Sequence, residues 1–413
     1  MTRLEIPKSC TGCSACVNVC PRHCIGMKKN SEGFLYPEID ISLCINCGKC
    51  NSVCPELHQP GKQPASFFMA WHKNKDVLMN SSSGGAFTAI ADIILKKGGV
   101  VIGAAQSKNS IEIEHVAIDK HENIPELRLS KYYQSNMKDI VTLTKGYLKN
   151  KRYVLFVGTP CQIAGLLNYL KVEGGDITNE IEKYLLTVDF LCHGVTSSKV
   201  IGAYIKSKEK QYGKLIKKFQ FRVKAGKVGW QTGGGTRMKI EFDDGSSLIT
   251  ADVDKDTFWV GFNNYVFLRK SCATCKYCGT ERVSDITLAD YWGVRKGEVP
   301  DEQLWYGVSL LMLNSDKGRN LLPELKKDLV VTSISDPSNA IQNNPSLQSA
   351  KSIHVKRDYF FFKINEGKDF DKLIHGICGK YYLKTSLRKF VINVIGEDAE
   401  LRIMRTVRKI VSR

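Results

Sequence analysis

Cysteine spacing constrains this chain more than any other feature. Cys10-x2-Cys13-x2-Cys16-x3-Cys20-Pro21 recurs as Cys44-x2-Cys47-x2-Cys50-x3-Cys54-Pro55. Three thiolates at this spacing wrap one face of an iron–sulfur cubane as the backbone curls around it. The fourth cysteine, carried away on a short helical turn, ligates the other cluster of the pair. The expected ligand sets are therefore Cys10, Cys13, Cys16 and Cys54 for one 4Fe-4S cluster, and Cys44, Cys47, Cys50 and Cys20 for a second. A pair of zinc sites is the competing reading, but zinc ribbons use two separated cysteine pairs, not four cysteines and a proline twice over. Cys24 lies outside the pattern and reads as a small buried residue.

Residues 1–58 thus read as a bacterial-type two-cluster ferredoxin module. The polar run His58-Gln59-Pro60-Gly61-Lys62-Gln63-Pro64, with two prolines and a glycine, reads as a linker. Nine of the 15 cysteines lie in the first 54 residues, and the odd total argues against a fully paired disulfide set. Close cysteine spacing in a long chain favours metal ligation in a reducing compartment. No apolar run approaches the roughly 20 residues that span a bilayer, and Met1 to Lys8 contains no apolar signal core. The expectation is a cytoplasmic protein.

Beyond the linker, strand and helix patterns alternate, as an α/β domain with a mixed sheet requires. Strands are expected at Phe67 to Trp71, Val100 to Ala105, Ile111 to Ile118 and Tyr153 to Val157. Helices are expected over Ala86 to Lys97, up to Tyr147 to Lys151, and from Cys161 to about Leu170. A β-rich stretch follows from Phe219 to Thr257, with Asp243-Asp244-Gly245 as its hairpin signal. The expected divisions after the linker are 65–145, 146–330 and a basic helical tail over 331–413.

A third cysteine group, Cys272-x2-Cys275-x2-Cys278, offers three thiolates at cubane spacing without a fourth nearby. Cys192, at the end of an apolar strand, Cys161, at a strand-to-helix turn, and Cys378 are the candidates to complete it. Cys192 is preferred, because the His-Gly that follows gives a fixed thiolate facing a cleft. Three cysteines and a histidine around zinc form the competing set.

Six segments, taken in order, resemble one family: Ser82-Ser83-Gly84-Gly85, Lys131-Tyr132-Tyr133-Gln134-Ser135, Phe156-Val157-Gly158-Thr159-Pro160-Cys161-Gln162, Asp189-Phe190-Leu191-Cys192-His193-Gly194, Arg269-Lys270-Ser271-Cys272 to Cys278, and Ala289-Asp290-Tyr291-Trp292-Gly293. Together with the N-terminal module, they resemble the coenzyme F-420 hydrogenase/dehydrogenase beta-subunit family. The resemblance covers about residues 1–330. It implies FAD in the α/β domain and a third 4Fe-4S cluster beside it. A flavin converts two-electron hydride chemistry into the single electrons that clusters carry. Ser82, Ser83, Gly84 and Gly85 open a helix whose N–H groups would meet the FAD pyrophosphate; a simple helix cap is the plainer reading. Thr159, Pro160 and Gln162 would line the flavin, or merely end a strand. Lys131 would bind phosphate or substrate, and His193 would relay a proton or sit as a satisfied core histidine.

The implied function is an FAD- and iron–sulfur-dependent oxidoreductase acting on a small molecule, with ferredoxin or another redox protein as electron partner. Related single-chain bacterial members suggest a place in polysaccharide biosynthesis. The competing class is a non-catalytic electron-transfer subunit serving a partner oxidoreductase or membrane complex. Lys plus Arg is 60 against 42 acidic residues, a net +18. The basic residues lack aromatic platforms or a recognised nucleic-acid module, so a nucleic-acid role is not expected. Their surplus gathers in the tail, where Leu387, Phe390, Val391, Val394, Leu401, Met404 and Val407 recur at helical spacing. Two short helices broken at Gly396-Glu397-Asp398 are expected there. Such a tail packs on the protein's own core or docks peripherally on the inner face of a membrane.

Overall fold

A computed structural model describes residues 5–107, 112–225, 229–230, 237–250, 253–295 and 297–395, with side chains to Leu387 at the C-terminal end. Fourteen strands appear among them. β1 (Ile25–Lys29) and β2 (Leu35–Ile39) form the hairpin between the two cysteine motifs. β3 (Ser66–His72), β4 (Val100–Gln106), β5 (Ile113–Ile118), β6 (Ser135–Asn136), β7 (Val154–Val157) and β8 (Leu185–Phe190) follow. β9 (Ile216–Phe221), β10 (Met238–Phe242) and β11 (Ser247–Ile249) make a separate antiparallel sheet. β12 (Ile286–Asp290), β13 (Ser309–Leu313) and β14 (Leu329–Ser333) complete the count.

The main sheet is mixed, in the order β14-β3-β13-β12-β8-β7-β4-β5-β6. β12, β8, β7 and β4 run parallel at its centre, and antiparallel partners flank them on both sides. Side chains alternate between faces with period two. Val100 and Ile102 of β4 and Val154 and Phe156 of β7 enter one core with the helices Ile140–Lys149 and Pro160–Glu173. Val101 and Leu155 enter the opposite core, under the helices Ala86–Lys96 and Leu322–Asp328.

The N-terminal module is packed on this body. Cys13, Val19 and Val53 belong to the same core as Phe156 and Ile163. Asn168 Nδ2 donates to His58 O at 2.6 Å, Tyr277 Oη to Pro55 O at 3.1 Å, and Asn18 Nδ2 to Lys138 O at 2.9 Å. Gly165, on the helix Pro160–Glu173, makes the closest approach possible. A Cβ there would lie 2.8 Å from Cys13 Sγ.

The segment expected as a tail from 331 begins within the edge strand β14 and continues in the helices Ser338–Asn343, Arg357–Asn365, Phe370–Ile377 and Gly379–Ile395. Phe360, Phe361, Phe370 and Ile374 are core residues, packed with Phe258, Trp259 and Phe267. Leu383 and Leu387 are exposed. The expected break at Gly396-Glu397-Asp398 and the apolar positions after it lie outside the described residues, as does Ile111 at the start of one expected strand. No helix among the described residues is long and apolar enough to cross a membrane.

Candidate functional site

The duplicated motifs fold back on each other, as the crossed ligand sets require. Cys10, Cys13, Cys16 and Cys54 line one small cavity, and Cys20, Cys44, Cys47 and Cys50 line another. Among the described residues no set of three Cys, His, Asp or Glu side chains closes tightly enough to hold a single ion; the thiols instead ring these cavities. Burial pushes the Cys13 thiol up to about 12 and raises Cys10, Cys16 and Cys54. Iron held there would supply the compensation that such buried sulfur needs, since a coordinating thiol is deprotonated outright. Cys24 is buried in the lining of the second cavity too, its sulfur 3.4 Å from that of Cys20.

A larger cavity of about 480 Å³ opens at the carboxyl ends of β7, β8 and β12. This is where open α/β sheets bind ligands, because the loops leaving parallel strands converge there. Thr11 and Gly12, from the first cysteine loop, form part of its wall. The space reaches from them past Tyr132, Trp259 and Phe262 to Asp290 and Trp292.

Of the residues expected at a flavin or substrate, Ser82, Ser83, Gly85, Lys131, Thr159, Gln162 and His193 line this cavity, as do Cys161 and Cys192. Gly84 and Pro160 do not. Gly84 N donates to Ser309 Oγ at 3.1 Å, so that amide is already used within the protein. Gly84 is small because β3 and β13 press on it: a Cβ would lie 2.5 Å from Ala70 O. Pro160 is the first helical residue after the Thr159 cap, a position where its missing N–H costs nothing. Gln162 closes the same cap, its Oε1 accepting from Thr159 N at 2.9 Å while Nε2 donates to Ser135 Oγ at 3.0 Å.

Lys131 Nζ donates to the carbonyls of Arg128 at 2.8 Å and Leu127 at 3.2 Å. Burial lowers its pKa to about 7. His193 lies between Phe262 and Tyr265, with ring centroids at 5.2 and 5.5 Å. Burial first, and Lys351 second, lower it to about 4, so it is neutral near pH 7. Its Nε2 is buried without a partner, as are Thr11 Oγ1 and His115 Nδ1. All three residues line the cavity, and unsatisfied buried polar atoms are rare enough in folded chains to mark a place for a ligand.

Sequence reasoning missed Thr11, Gly12, His115 and Arg222 as cavity residues. Arg222 holds Asp290 in a bidentate pair at 2.6 and 2.8 Å and donates to Ser82 O at 3.0 Å, tying three walls together. An aspartate within the Ala289 to Gly293 segment was the available signal; its arginine partner had none. Asp189, also in the lining, is paired with Arg282 at 3.0 Å and accepts from Thr287, fixing the end of β8 just before Cys192.

Cys272, Cys275 and Cys278 lie beside the cavity rather than in its lining. Cys275 is lowered to about 7, chiefly by a hydrogen bond from Cys278. Cys192 lies within electrostatic reach of Cys272 and Cys275, and Cys278 feels Cys192. Cys161 instead feels Cys192, Cys275 and Cys13, and its sulfur is 3.1 Å from Thr159 Oγ1.

Comparison with known proteins bears on the N-terminal motifs and on the family. Residues 9–57 match a 4Fe-4S dicluster domain. Residues 67–142 and 151–337 match the N- and C-terminal parts of the coenzyme F-420 hydrogenase/dehydrogenase beta subunit, more than half of the chain between them. One component protein of the F(420)H(2) dehydrogenase of Methanosarcina mazei is 27% identical over 217 residues, 48% of this chain and 58% of that relative. The chain therefore spans a little over half the length of that curated relative. A component protein of the NADH-quinone oxidoreductase of Pelobacter propionicus is 38% identical over 64 residues, 13% of this chain and 34% of that protein. A solved chain of the F-420-reducing nickel–iron hydrogenase complex from Methanosarcina barkeri aligns over 77% of this chain and 92% of its own, at 14% identity and a TM-score of 0.45. With its dicluster ferredoxin module joined to both parts of the subunit, this chain belongs to the coenzyme F-420 hydrogenase/dehydrogenase beta-subunit family as an iron–sulfur electron-transfer member.

Proposed function

We propose that this chain is an FAD-dependent oxidoreductase that couples one-electron transfer through its clusters to hydride exchange with a small organic molecule in the 480 Å³ cavity. The observation that carries this reading is the shared wall: the first cysteine loop, Cys161 and Cys192 all border the same space. The residues suit a flavin. Tyr132, Trp259, Phe262 and Trp292 offer apolar faces, and Thr11, His115 and His193 offer unsatisfied polar atoms. Ser82, Ser83 and Gly85 lie where phosphates would meet a helix start, without the amide of Gly84. FAD, when bound, supplies the conversion between electron pairs and single electrons.

Lys131 would anchor an anionic group and hold or release a proton at Nζ near neutrality. His193, neutral in its aromatic slot, would offer Nε2 to the ligand as donor or acceptor. Thr159 and Gln162 keep the turn rigid, so the cavity keeps its shape.

A third 4Fe-4S cluster on Cys272, Cys275, Cys278 and Cys192 is part of the same proposal. Cys192 is favoured as the fourth ligand because it lies within electrostatic reach of all three, whereas Cys161 lies within reach of Cys192, Cys275 and Cys13. Ferredoxin or another redox protein is the proposed electron partner, and the cytoplasm the proposed compartment. A place in polysaccharide biosynthesis, and peripheral membrane contact through the basic tail from Thr385 to Arg413, rest on the sequence alone. The relatives, named as components of a dehydrogenase and an oxidoreductase, favour a second reading in which this chain passes electrons to a partner without its own substrate.

The test is the anaerobically purified full chain, denatured to release flavin and assayed for iron and acid-labile sulfide. Noncovalent FAD with about 12 iron and 12 sulfide per chain is expected from three cubanes. Absence of flavin after incubation with FAD overturns the flavoprotein reading. Turnover of a small molecule with reduced ferredoxin separates the enzyme from the electron-transfer protein.

A further inference from the structure

Four arginines are buried in the described structure: Arg222, Arg269, Arg282 and Arg357. A guanidinium stays charged in any protein environment, and a buried charge needs an opposite charge nearby. Three of the four have one. Arg222 is paired with Asp290 at 2.6 Å, Arg282 with Asp189 at 3.0 Å and Arg357 with Glu32 at 2.5 Å.

Arg269, 1% exposed, has no carboxylate partner among the described residues. Its Nε donates to Cys10 O at 2.9 Å, and Nη1 donates to Leu35 O at 3.0 Å and Gln134 Oε1 at 3.2 Å. Its guanidinium lies 3.9 Å from the centre of the Tyr36 ring. These partners are neutral. The one group left is sulfur: Nη2 points at Cys10 Sγ, 3.9 Å away. Gly12, with φ +74°, makes room for this contact, since a Cβ there would lie 2.3 Å from Gln134 Nε2 and 3.3 Å from Arg269 Nη1.

We propose that Arg269 is the counter-charge of the first cluster, held by Cys10, Cys13, Cys16 and Cys54, and that it raises that cluster's reduction potential. A cubane on four thiolates is anionic and becomes more so with each added electron, and nearby charge and hydrogen bonds to sulfur set its potential. A fixed cation beside Cys10 therefore favours the reduced form. The second site has two cations in its lining and neither is buried: Arg22 is exposed, and Lys49 is half exposed and already bound to Glu173 at 2.7 Å. The two motifs share their spacing but not this charge. An electron on the second cluster would then be drawn to the first, beside the cavity, with no bond made or broken. The proposal rests on the two N-terminal clusters and not on the flavin or the third cluster.

The experiment is an anaerobic redox titration followed by EPR on the full chain, after iron and sulfide assays. Wild type, Arg269→Gln, Arg269→Lys and Gln134→Glu are compared, and Cys13→Ser identifies the signal of the first cluster by its loss. Arg269→Gln is expected to shift the first cluster's reduction equilibrium tenfold or more toward the oxidised form, about 59 mV for one electron. The second cluster should move by less than threefold. Gln134→Glu leaves Arg269 in place but gives it a competing carboxylate, and should shift the same signal in the same direction. Arg269→Lys should retain most of the wild-type value. If Arg269→Gln does not fold, Gln134→Glu alone decides. Normal iron and sulfide with the first cluster unmoved in both variants overturns the proposal. Missing N-terminal iron in the wild type refutes the cluster assignment instead.

Discussion

Cys13 of the first motif and Cys47 of the second occupy the same place in their repeats, yet their surroundings have little in common. Cys13 is buried against Gly165 and shares a core with Ile163 and Leu166. Cys47 lies in a loop whose neighbours Ile41, Leu43 and Ile45 are 66%, 47% and 60% exposed. The first loop also walls the large cavity and carries the buried Arg269 contact. The second has neither. A duplicated motif therefore defines two equal ligand sets, while the body it docks on makes one of them an inner station and leaves the other at the surface. Exposed apolar residues around a cluster suit the small, transient contacts of electron-transfer partners.

The largest expected effect comes from deleting one station at a time. Cys13→Ser should lose the first cluster and, because Thr11 and Gly12 shape the cavity, should weaken FAD retention tenfold or more. Tenfold is a cost of about 1.4 kcal/mol. Cys47→Ser should lose the second cluster and retain FAD within about threefold, well under that cost. Iron, sulfide and flavin assays on the two variants measure this directly. Equal loss of flavin from both would mean that the module acts on the cavity as a whole and not through its inner loop.

Much of the fold was legible because its signals are local. The apolar run Tyr153 to Val157 became β7, and the helical spacing from Ala86 became the helix Ala86–Lys96. Asp243-Asp244-Gly245 turns the chain between β10 and β11. The strand order was not legible. β13 pairs antiparallel between β12 and β3, and nothing near Ser309 to Leu313 in the sequence announces a partner about 240 residues earlier, because pairing over such a separation carries no local signal. The cluster ligands were legible because cubane geometry dictates their spacing. The cavity was legible only in part, since a motif names residues without saying which atoms remain free. Gly84 spends its amide on Ser309 and Gln162 spends its amide group on a cap. Arg269 stood out only as part of a motif, because a buried arginine and a surface one look alike in sequence.

A smaller effect tests the closeness of the inner station. Gly165→Ala places a methyl 2.8 Å from Cys13 Sγ in a helix interior, where alanine is otherwise preferred. The propensity gain of about 0.5–1 kcal/mol should be outweighed by an overpacking cost of about 1–3 kcal/mol. Gly146→Ala is the control, because that glycine sits in the helix Ile140–Lys149 with nothing within 4 Å of the added Cβ. It should stabilise by about 0.5–1 kcal/mol. Anaerobic denaturant titration of the cluster-loaded chains reads both, and opposite signs are expected. Stabilisation by Gly165→Ala would show that the module yields to the methyl without cost.

The smallest effect on stability, and the sharpest test of the outer station, is at Ile45. Its side chain is exposed in the loop between Cys44 and Cys47, borders the second cysteine cavity and packs in none of the described cores. Ile45→Gln should therefore change stability by no more than about 0.5 kcal/mol, as for surface positions generally. If partners deliver electrons at this loop, the same change should slow reduction of the chain by reduced ferredoxin several-fold, because the apolar centre of a small interface carries much of its binding energy. A substitution at a more exposed position outside that loop, Val355→Gln, should leave the rate alone; Val355 is 94% exposed. Stopped-flow absorbance under anaerobic conditions measures all three proteins. A rate that falls for Ile45→Gln and not for Val355→Gln makes the second cluster the point of entry. Equal rates in all three would place electron entry elsewhere on the chain, and the contrast between inner and outer stations would then describe packing alone.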